Sequence, residues 1–315
     1  MTENIQRKIN SGITTNKKKV SAIVSCFNGQ KYLPAFLDNC AAQTISARTE
    51  IILVHNNPSE NEINIIHQFQ EKHPGLINHI IVPREPLAVS TNRAIKVAAG
   101  EYVCIWNVDD LRTEDSLELM ERTLDENPNN AFTYGDYIIV NQWQKTQGRK
   151  IITPEFEKLK CIQEMHLGPF YMWRKSLCAT VGYWDEQFKS GGDFDYATRL
   201  AVESEGLKTR GLLGYYLDEG LGLSTGKTPW QPIERTVIEL RFGVYHKLDF
   251  WYYNRAKKYR IVEILLDGKW FPLQNFVPHY RDFISNKINI LWAVVKYPFW
   301  ILQRIFSKLK RHLNE

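Results

Sequence analysis

The sequence contains few cysteines, and none of them is spaced for a disulfide framework or a metal-binding knuckle. Its five cysteines lie far apart among 315 residues, and no two form a Cys-x-x-Cys pair. This pattern predicts reduced thiols and a cytoplasmic compartment. The polar N-terminal segment also lacks the apolar stretch of a secretory signal, so no such signal is expected.

Two further absences narrow the function classes. The first predicted strand is followed by SCFNGQKY and not by a Gly-x-Gly-x-x-Gly turn, which disfavours a dinucleotide-dependent oxidoreductase. The net charge is only +5, and the basic residues are dispersed along most of the chain. A nucleic-acid-binding protein is therefore not expected, because such proteins concentrate positive charge on one face.

The sequence does show an alternation of short apolar strands and amphipathic helices. The predicted strands comprise residues 20–26, 50–54, 79–82 and 101–106. Strands that alternate with helices predict an α/β fold, with a Rossmann-like, mostly parallel sheet flanked by helices. Ligands of such sheets bind at the carboxyl ends of the strands, which directs attention to the residues just after Cys26, Val54 and Trp106.

Two adjacent carboxylates directly follow the fourth predicted strand. Asp109 and Asp110 end the segment Asn107-Val108-Asp109-Asp110. Paired carboxylates are costly to place together unless a cation compensates them, and Mg²⁺ or Mn²⁺ prefers oxygen ligands of this kind. The alternative interpretation is a pair of residues that caps the helix expected to begin near Thr113.

A second acidic segment contains two glycines followed by Asp193. Gly191 and Gly192 would allow close approach of a ligand to the backbone, and Asp193 would stand at the start of a helix. An aspartate there could act as a general base toward an acceptor hydroxyl. The alternative interpretation is a helix N-cap at Asp193 or Asp195.

In their order along the chain, these segments resemble the family 2 glycosyltransferases, whose catalytic domain has the GT-A fold. The resemblance runs from Val20 to about Ser224 and rests on VSAIVSCFNGQKYLPAFLDNCAAQT, IILVHNNPSENE, NRAIKVAAGEYVCIWNVDD and VGYWDEQFKSGGDFDYATRL. It implies inverting transfer of a sugar from a nucleotide-diphosphate donor, most often a UDP-sugar, to a hydroxyl group. The implied acceptor is a glycan or a lipid-linked glycan in bacterial surface polysaccharide or glycolipid assembly.

The resemblance also implies roles for individual residues. Asp109 would bind both the Mn²⁺ or Mg²⁺ ion and the nucleotide, Asp110 would support it, and Asp193 would be the catalytic base. The residues implied to line the nucleotide pocket are Ser25, Asn28, Asn56 and Asn92. The residues implied to lie on the acceptor and sugar side are Trp173, Arg174, Trp184 and Gly192.

The chain departs from the family pattern at four positions. Asn107 replaces the first acid of the metal motif, and Asn56 replaces an aspartate of the nucleotide loop. Gly192 replaces the glutamate before the catalytic aspartate, and Thr91 replaces an arginine of the third helix. These departures keep open an alternative function, that of a catalytically inactive relative that binds nucleotide or glycan within an assembly complex.

The domain organisation predicted from the sequence has three parts. Residues 1–18 form a disordered tail, residues 19–228 the GT-A catalytic domain, and residues 229–315 a helical, basic C-terminal region. Within residues 299–313, apolar side chains share one helical arc and basic ones gather opposite. This pattern predicts a peripheral helix on the inner face of the cell membrane, and docking of the helix on the catalytic domain is the alternative.

Overall fold

The computed structural model describes residues 18–163, 165–220, 230–242, 259, 261, 263–266 and 269–272. The chain divides into two compact units, with the division between Thr228 and Pro229. The first unit is an α/β domain, and its elements are described first.

Nine strands of the first unit form one mixed sheet. They are β1 (Val20–Cys26), β2 (Thr49–Asn56), β3 (Ile77–Val82), β4 (Tyr102–Ile105), β5 (Leu111–Arg112), β6 (Phe132–Val140), β7 (Arg149–Ile151), β8 (Tyr171–Arg174) and β9 (Gly206–Leu217). The order across the sheet is β3-β2-β1-β4-β8-β6-β9-β5, and β7 pairs with β6 at one side.

Seven α-helices connect these strands in the described part of the first unit. They are α1 (Leu33–Ala41), α2 (Glu60–Lys72), α3 (Leu87–Val97), α4 (Ser116–Glu126), α5 (Lys158–Gln163), α6 (Cys178–Val181) and α7 (Gly192–Glu203). The sequence explains several of their ends. Pro34 occupies the first turn of α1, where its missing N–H costs nothing. Ser59 and Glu62 form a complete capping box at the start of α2.

The N-terminal half of the sheet is parallel, as the alternation of strands and helices predicts. β1 pairs in parallel with β2 and with β4, and β2 pairs in parallel with β3. Alternate residues of β1 enter different core clusters, Val24 and Cys26 in one and Ile23 in the other. Both faces of the strand are therefore covered, which explains its continuous apolar sequence.

The C-terminal half of the sheet introduces antiparallel pairs. β8 lies between β4 and β6 and is antiparallel to both. β9 is parallel to β6, and the short strand β5 is antiparallel to β9. This mixed arrangement brings the start of β8 and the segment after β9 to the carboxyl end of β4, where the two adjacent carboxylates lie.

Both capping interpretations from the sequence are wrong. Helix α4 begins at Ser116 with Asp115 as its N-cap residue, and the Thr113 hydroxyl instead donates to the carbonyl oxygen of Leu212 at 2.8 Å. Helix α7 has Gly191 as its N-cap residue and no side-chain capping bond. The carboxylates of the two acidic segments are therefore not accounted for as helix caps.

The second unit contains one helix and one hairpin among its described residues. Helix α8 spans Trp230–Arg241, and an antiparallel pair joins β10 (Glu263–Leu266) to β11 (Lys269–Pro272). The Tyr259 hydroxyl donates to Glu234 of α8 at 2.6 Å. The sequence predicted a helical region here and did not predict the hairpin.

Two sequence predictions fall on residues that are not described. They are the amphipathic helix over residues 299–313 and nearly all of the predicted disordered tail over residues 1–18. Among the helices of the described segments, none has the length and apolar character needed to cross a bilayer.

Candidate active site

Asp110 is a buried carboxylate that joins the segment after β4 to the end of β9. Its Oδ1 accepts a hydrogen bond from the Leu217 backbone N–H at 3.0 Å, and its Oδ2 accepts one from Asn107 Nδ2 at 2.9 Å. Burial and the neighbouring Asp109 raise the pKa of Asp110 to about 8. Asn107, where the family has an acid, thus serves as a hydrogen-bond donor to Asp110.

Asp109 is half-buried at the carboxyl end of β4 and lies near a third carboxylate. Burial, followed by the charge of Glu219, raises the pKa of Asp109. Glu219 follows β9 and is held by Lys31 Nζ at 3.0 Å and by the Tyr32 hydroxyl at 3.2 Å. Sequence reasoning missed Glu219, because β9 brings it to Asp109 through long-range pairing.

Three acidic side chains, Asp109, Asp110 and Glu219, influence one another near the carboxyl end of β4, but among the described residues only Cys26, His55 and Glu62 bring three potential ligand atoms within 4.8 Å of one another. Asp109 and Glu219 approach each other from the ends of two different strands, and burial opposes the ionisation of both Asp109 and Asp110. A hard divalent cation bound here would offset the mutual repulsion, with oxygen ligands of the type that Mg²⁺ and Mn²⁺ take. Asp110 already accepts two protein hydrogen bonds and Glu219 accepts bonds from Lys31 and Tyr32, so Asp109 is the most available ligand of the three.

The residues implied for the nucleotide pocket divide into two groups. Ser25 and Asn56 lie together, with Asn56 Nδ2 donating to Ser90 Oγ at 2.9 Å and approaching Ser25 Oγ at 3.4 Å. Asn56 Oδ1 accepts from the Glu85 backbone N–H at 2.9 Å. Asn28 is exposed in the turn after β1 and has a φ of 52°, a conformation that asparagine tolerates. The amide of Asn56 therefore links the end of β2 to Ser90 of α3 and to Glu85 in the segment after β3.

Asn92 lies on α3, two residues after Ser90, and binds the segment before α7. Its Nδ2 donates to the Trp184 carbonyl oxygen at 2.9 Å, and its Oδ1 accepts from the Trp184 N–H at 2.9 Å. Nδ2 also contacts Glu186 Oε1 at 3.0 Å. Asn92 thus fixes the backbone of Trp184, and its buried amide is committed to that contact.

An exposed aromatic side chain, Phe27, directly follows β1. The Phe27 ring is 41% exposed, and the Arg84 guanidinium carbon lies 3.3 Å from its centroid. Phe27 follows β1 and Arg84 follows β3, so both stand at the carboxyl edge of the sheet. Sequence reasoning did not single out either residue, although Phe27 is among the residues that directly follow Cys26.

Asp193 is an exposed carboxylate in the first turn of α7, and its Oδ1 accepts from the Phe194 N–H at 2.8 Å. Burial, together with the nearby Asp193 carboxylate, raises the pKa of Tyr171. Tyr171 begins β8, which runs antiparallel to β4 with Cys104 opposite Met172. Tyr171 therefore stands beside the carboxyl end of β4, and Asp193 shares an edge of the sheet with Asp109.

The four residues implied for the sugar side have different placements. Gly192 packs against the Trp184 ring, where a Cβ atom would lie only 2.9 Å from Cε3. Trp173 is fully buried within β8 and stacks on Tyr171 with ring centroids 5.6 Å apart. Gly192, Trp184 and Trp173 thus lie close to Asp193 or to its neighbour Tyr171.

Arg174 lies at the opposite edge of the sheet. It pairs with Tyr102 at the amino end of β4 and donates to the carbonyl oxygens of Leu124 and Asn130 at 2.7 and 3.0 Å. Its guanidinium group thus joins the end of α4 to the turn before β6. The structure does not bring Arg174 together with Asp109 and Asp193.

Comparisons with known proteins identify related sequences and similar folds. A poly-beta-1,6-N-acetyl-D-glucosamine synthase of Staphylococcus epidermidis is 27% identical over 300 residues, which cover 90% of this chain and 69% of the synthase. The crystal structure of S. aureus TarS 1-349 in complex with UDP-GlcNAc has a TM-score of 0.58 at 20% identity, over 70% of this chain and 64% of that chain. This chain therefore spans less than two thirds of the TarS chain.

A second structure covers nearly the whole chain. The Pyrobaculum calidifontis mannosyltransferase PcManGT, in complex with GDP-Man and Mn²⁺, has a TM-score of 0.52 at 14% identity, over 97% of this chain and 86% of that chain. At these identities the structural likeness shows the GT-A fold. The sequence model described as Glycosyl transferase family 2 matches residues 21–182, just over half of the 315 residues. The chain therefore belongs to glycosyltransferase family 2.

Proposed function

We propose that the protein transfers a sugar from a nucleotide-diphosphate donor to a hydroxyl acceptor with inversion at the anomeric carbon. The observation that carries this proposal is the shared edge of Asp109 and Asp193, with Tyr171 beside the end of β4. Asp193 is exposed and can accept a proton from an acceptor hydroxyl. A single general base suits one in-line displacement, which inverts the configuration.

The donor diphosphate is assigned to the side of Asp109. Asp109 and Glu219, with Asp110 behind them, would hold Mn²⁺ or Mg²⁺, which would offset the charge that develops on the leaving diphosphate. The relatives named for N-acetylglucosamine chemistry, one of them in complex with UDP-GlcNAc, support a UDP-sugar donor. A glycan or lipid-linked acceptor in surface polysaccharide assembly remains our proposal on the same basis.

Three buried polar atoms near Asp193 suit recognition of a sugar. Tyr171 OH, Trp173 Nε1 and Trp184 Nε1 have no hydrogen-bond partner within the described segments. Buried donors without partners cost free energy, which a hydroxyl or acetamido oxygen of a bound sugar would recover. Tyr171 is the one whose pKa responds to Asp193, so its hydroxyl is the candidate donor to a sugar that enters beside that residue.

Replacing Asp193 with asparagine is expected to reduce UDP release from UDP-GlcNAc in the presence of Mn²⁺ by about a hundredfold or more, because the proton acceptor is lost. Glu203→Gln makes the same chemical change at the other end of α7 and should keep wild-type turnover. Equal rates for Asp193→Asn and wild type would refute the catalytic role. UDP-GlcNAc binding without turnover in either protein would instead identify an inactive nucleotide-binding relative.

Replacing Phe27 with alanine is expected to weaken UDP binding about tenfold, because an exposed ring at this edge offers a face for the base to stack on. Isothermal titration calorimetry with UDP and Mn²⁺ measures the change. Val97→Ala removes another exposed apolar side chain, at the end of α3 that leads to the amino end of β4, and should leave the affinity unchanged. An unchanged affinity in Phe27→Ala would place the base elsewhere.

The location of the protein is likewise a proposal. The cysteine pattern supports a cytoplasmic compartment, and the basic amphipathic pattern over residues 299–313 supports contact with the inner face of the membrane. Both rest on the sequence, because the C-terminal segment lies outside the described residues. The proposed boundaries, a tail to residue 18 and a catalytic domain to residue 228, are compatible with this arrangement.

A further inference from the structure

Three buried side chains that glycosyl transfer does not use meet beneath the turn after β1. Cys26 ends β1, His55 lies near the end of β2, and Glu62 lies in the first turn of α2. All three are buried, and the Cys26 Sγ, a His55 ring nitrogen and a Glu62 oxygen lie within 4.8 Å of one another. A thiol, an imidazole and a carboxylate at this separation form a potential metal-ligand set.

His55 presents an unpaired nitrogen to this set. Its Nδ1 lies 3.1 Å from His79 Nε2, whereas its Nε2 lies 3.7 Å from Glu62 Oε1 and has no hydrogen-bond partner in the part of the chain that is described. His55 is fully buried, so a nitrogen without a hydrogen-bond partner there is unfavourable unless a ligand satisfies it. When Nδ1–H donates to His79, Nε2 carries a lone pair directed at Cys26 and Glu62.

The contact with His79 is the arrangement that supports metal-binding histidines. A ligating imidazole usually donates its other N–H to a fixed acceptor, which sets the tautomer and the ring orientation. Burial lowers the pKa of His79 to about 4, and burial also lowers the pKa of His55. Both rings are therefore neutral at pH 7, as a ligand and its acceptor must be.

Glu62 is an ionised and rigidly held carboxylate. The Gly29 N–H donates to its Oε1 at 2.7 Å, and the Ser59 N–H donates to its Oε2 at 2.8 Å. Burial opposes ionisation, but the hydrogen bonds from Ser59 and Gly29 lower the pKa of Glu62. The carboxylate consequently carries a negative charge in a buried place, where a cation would be stabilised.

Cys26 completes the set. Burial and the charge of Glu62 raise the pKa of the Cys26 thiol to about 12, so without a cation the sulfur keeps its proton. A divalent ion would displace that proton to solvent, and the thiolate and the Glu62 carboxylate would balance its two positive charges. Binding at this set therefore leaves no net buried charge.

We propose that Cys26, His55 and Glu62 form a zinc site that connects the end of β1, and the turn after it, to β2 and α2. Thiolate and imidazole ligands select Zn²⁺ over Mg²⁺ or Mn²⁺, which favour the all-oxygen set at Asp109. Zinc bonds of about 2.0–2.3 Å place tetrahedral ligand atoms about 3.3–3.8 Å apart, so a contraction of about an ångström completes the site. The three protein ligands leave a fourth position for water.

This site would stabilise the segment that carries Phe27 and Asn28. The Gly29 N–H bonds to the proposed ligand Glu62, and a Cβ atom at Gly29 would lie 2.4 Å from the Cys26 sulfur. The turn is therefore packed directly on the proposed metal set. The proposal does not depend on catalysis, because it concerns the stability of this turn.

The test measures metal bound to the full-length purified protein. After equilibration with micromolar Zn²⁺ and gel filtration, mass spectrometry of the metal should find about one tightly bound zinc per chain. Substitution with Co²⁺ should give the near-ultraviolet charge-transfer absorption of a cobalt–thiolate bond. Cys26→Ser should abolish that absorption, and His55→Gln should release the metal. Cys40→Ser, a buried cysteine in α1, should retain both signals.

Two outcomes would overturn the zinc site. One is wild-type protein that retains no zinc and shows no cobalt–thiolate absorption, a result that does not depend on the folding of any variant. The other is metal that remains in folded Cys26→Ser protein but is lost from Asp109→Asn, which would place the ion at the carboxylates. Asp109→Asn should instead keep its zinc, so failure of this site and failure of the proposed transferase activity are distinguishable.

Discussion

Replacing Asp109 with asparagine is expected to lower UDP release from UDP-GlcNAc by more than about a thousandfold. Asp109 is the half-buried carboxylate at the end of β4, and Glu219 approaches it from the end of β9. An amide would keep the size of the side chain but remove the charge that holds the cation. The cation would then be absent when negative charge develops on the diphosphate.

Two measurements check this prediction. Initial rates over a range of Mn²⁺ concentrations should show strong activation of the wild type and none of Asp109→Asn, and Mn²⁺ should raise the unfolding temperature of the wild type only. Asp115→Asn makes the same change at an exposed residue before α4 and should behave as wild type. Wild-type activation of Asp109→Asn by Mn²⁺ would remove Asp109 from the cation site.

Replacing Asp195 with alanine is expected to lower the free energy of unfolding by about 3–5 kcal/mol. Asp195 is fully buried, and its Oδ2 accepts from Arg199 Nε at 2.9 Å and lies 2.8 Å from Nη2. Removal of the carboxylate leaves the Arg199 guanidinium group partly buried without its counter-charge. Arg199 also donates to the carbonyl oxygens of Val181 and Tyr183, so the segment before Trp184 should loosen as well.

Urea unfolding followed by circular dichroism measures this loss. Asp193→Ala, two residues earlier on the same helix, is the matched control and should lose less than about 1 kcal/mol, because its carboxylate is exposed. The variants of the two aspartates should therefore differ in the property they lose. Asp193 variants should lose catalytic activity and keep their stability, whereas Asp195→Ala should lose stability. Equal unfolding midpoints for the two alanine variants would contradict the structural role of Asp195.

Local patterns were sufficient to predict the N-terminal half of the sheet. The four predicted strands correspond to β1, β2, β3 and β4 within two residues at each end, because each is a short apolar run bounded by turn or helix signals. The pattern also located Asp109 at the end of a strand. Membership in the family and the GT-A fold were confirmed by the comparisons.

Long-range pairing determined what the sequence could not show. Glu219 reaches Asp109 only because β5 and β9 pair across about a hundred residues, as Leu111 and Tyr215 do. The edge of the sheet at which Arg174 lies depends on the antiparallel direction of β8 relative to β4, which no local pattern fixes. Asn92 is bonded to the backbone of Trp184 across 92 residues, a contact that no local pattern predicts.

The assignment of roles to the site residues remains a prediction. Asp109 lies at the end of β4, Asp193 in the first turn of α7 and Trp184 in the segment before that helix, and the roles of the two aspartates are what Asp109→Asn and Asp193→Asn test. The buried amides of Asn56 and Asn92 are bonded within the protein, which makes the exposed Phe27 and Arg84 the better candidates for contact with a nucleoside.

The short ladder between β5 and β9 constrains how the lengths of these segments can change in homologous chains. Leu111 pairs with Tyr215, and the Leu217 N–H is bonded to Asp110. These two contacts fix the position of the chain just before Glu219, so the number of residues from Tyr215 to Glu219 determines where Glu219 lies. Because neighbouring residues of an extended chain face opposite sides, one inserted or deleted residue would turn Glu219 away from Asp109. Insertions and deletions should therefore be rare between these positions and common in the turn before β7.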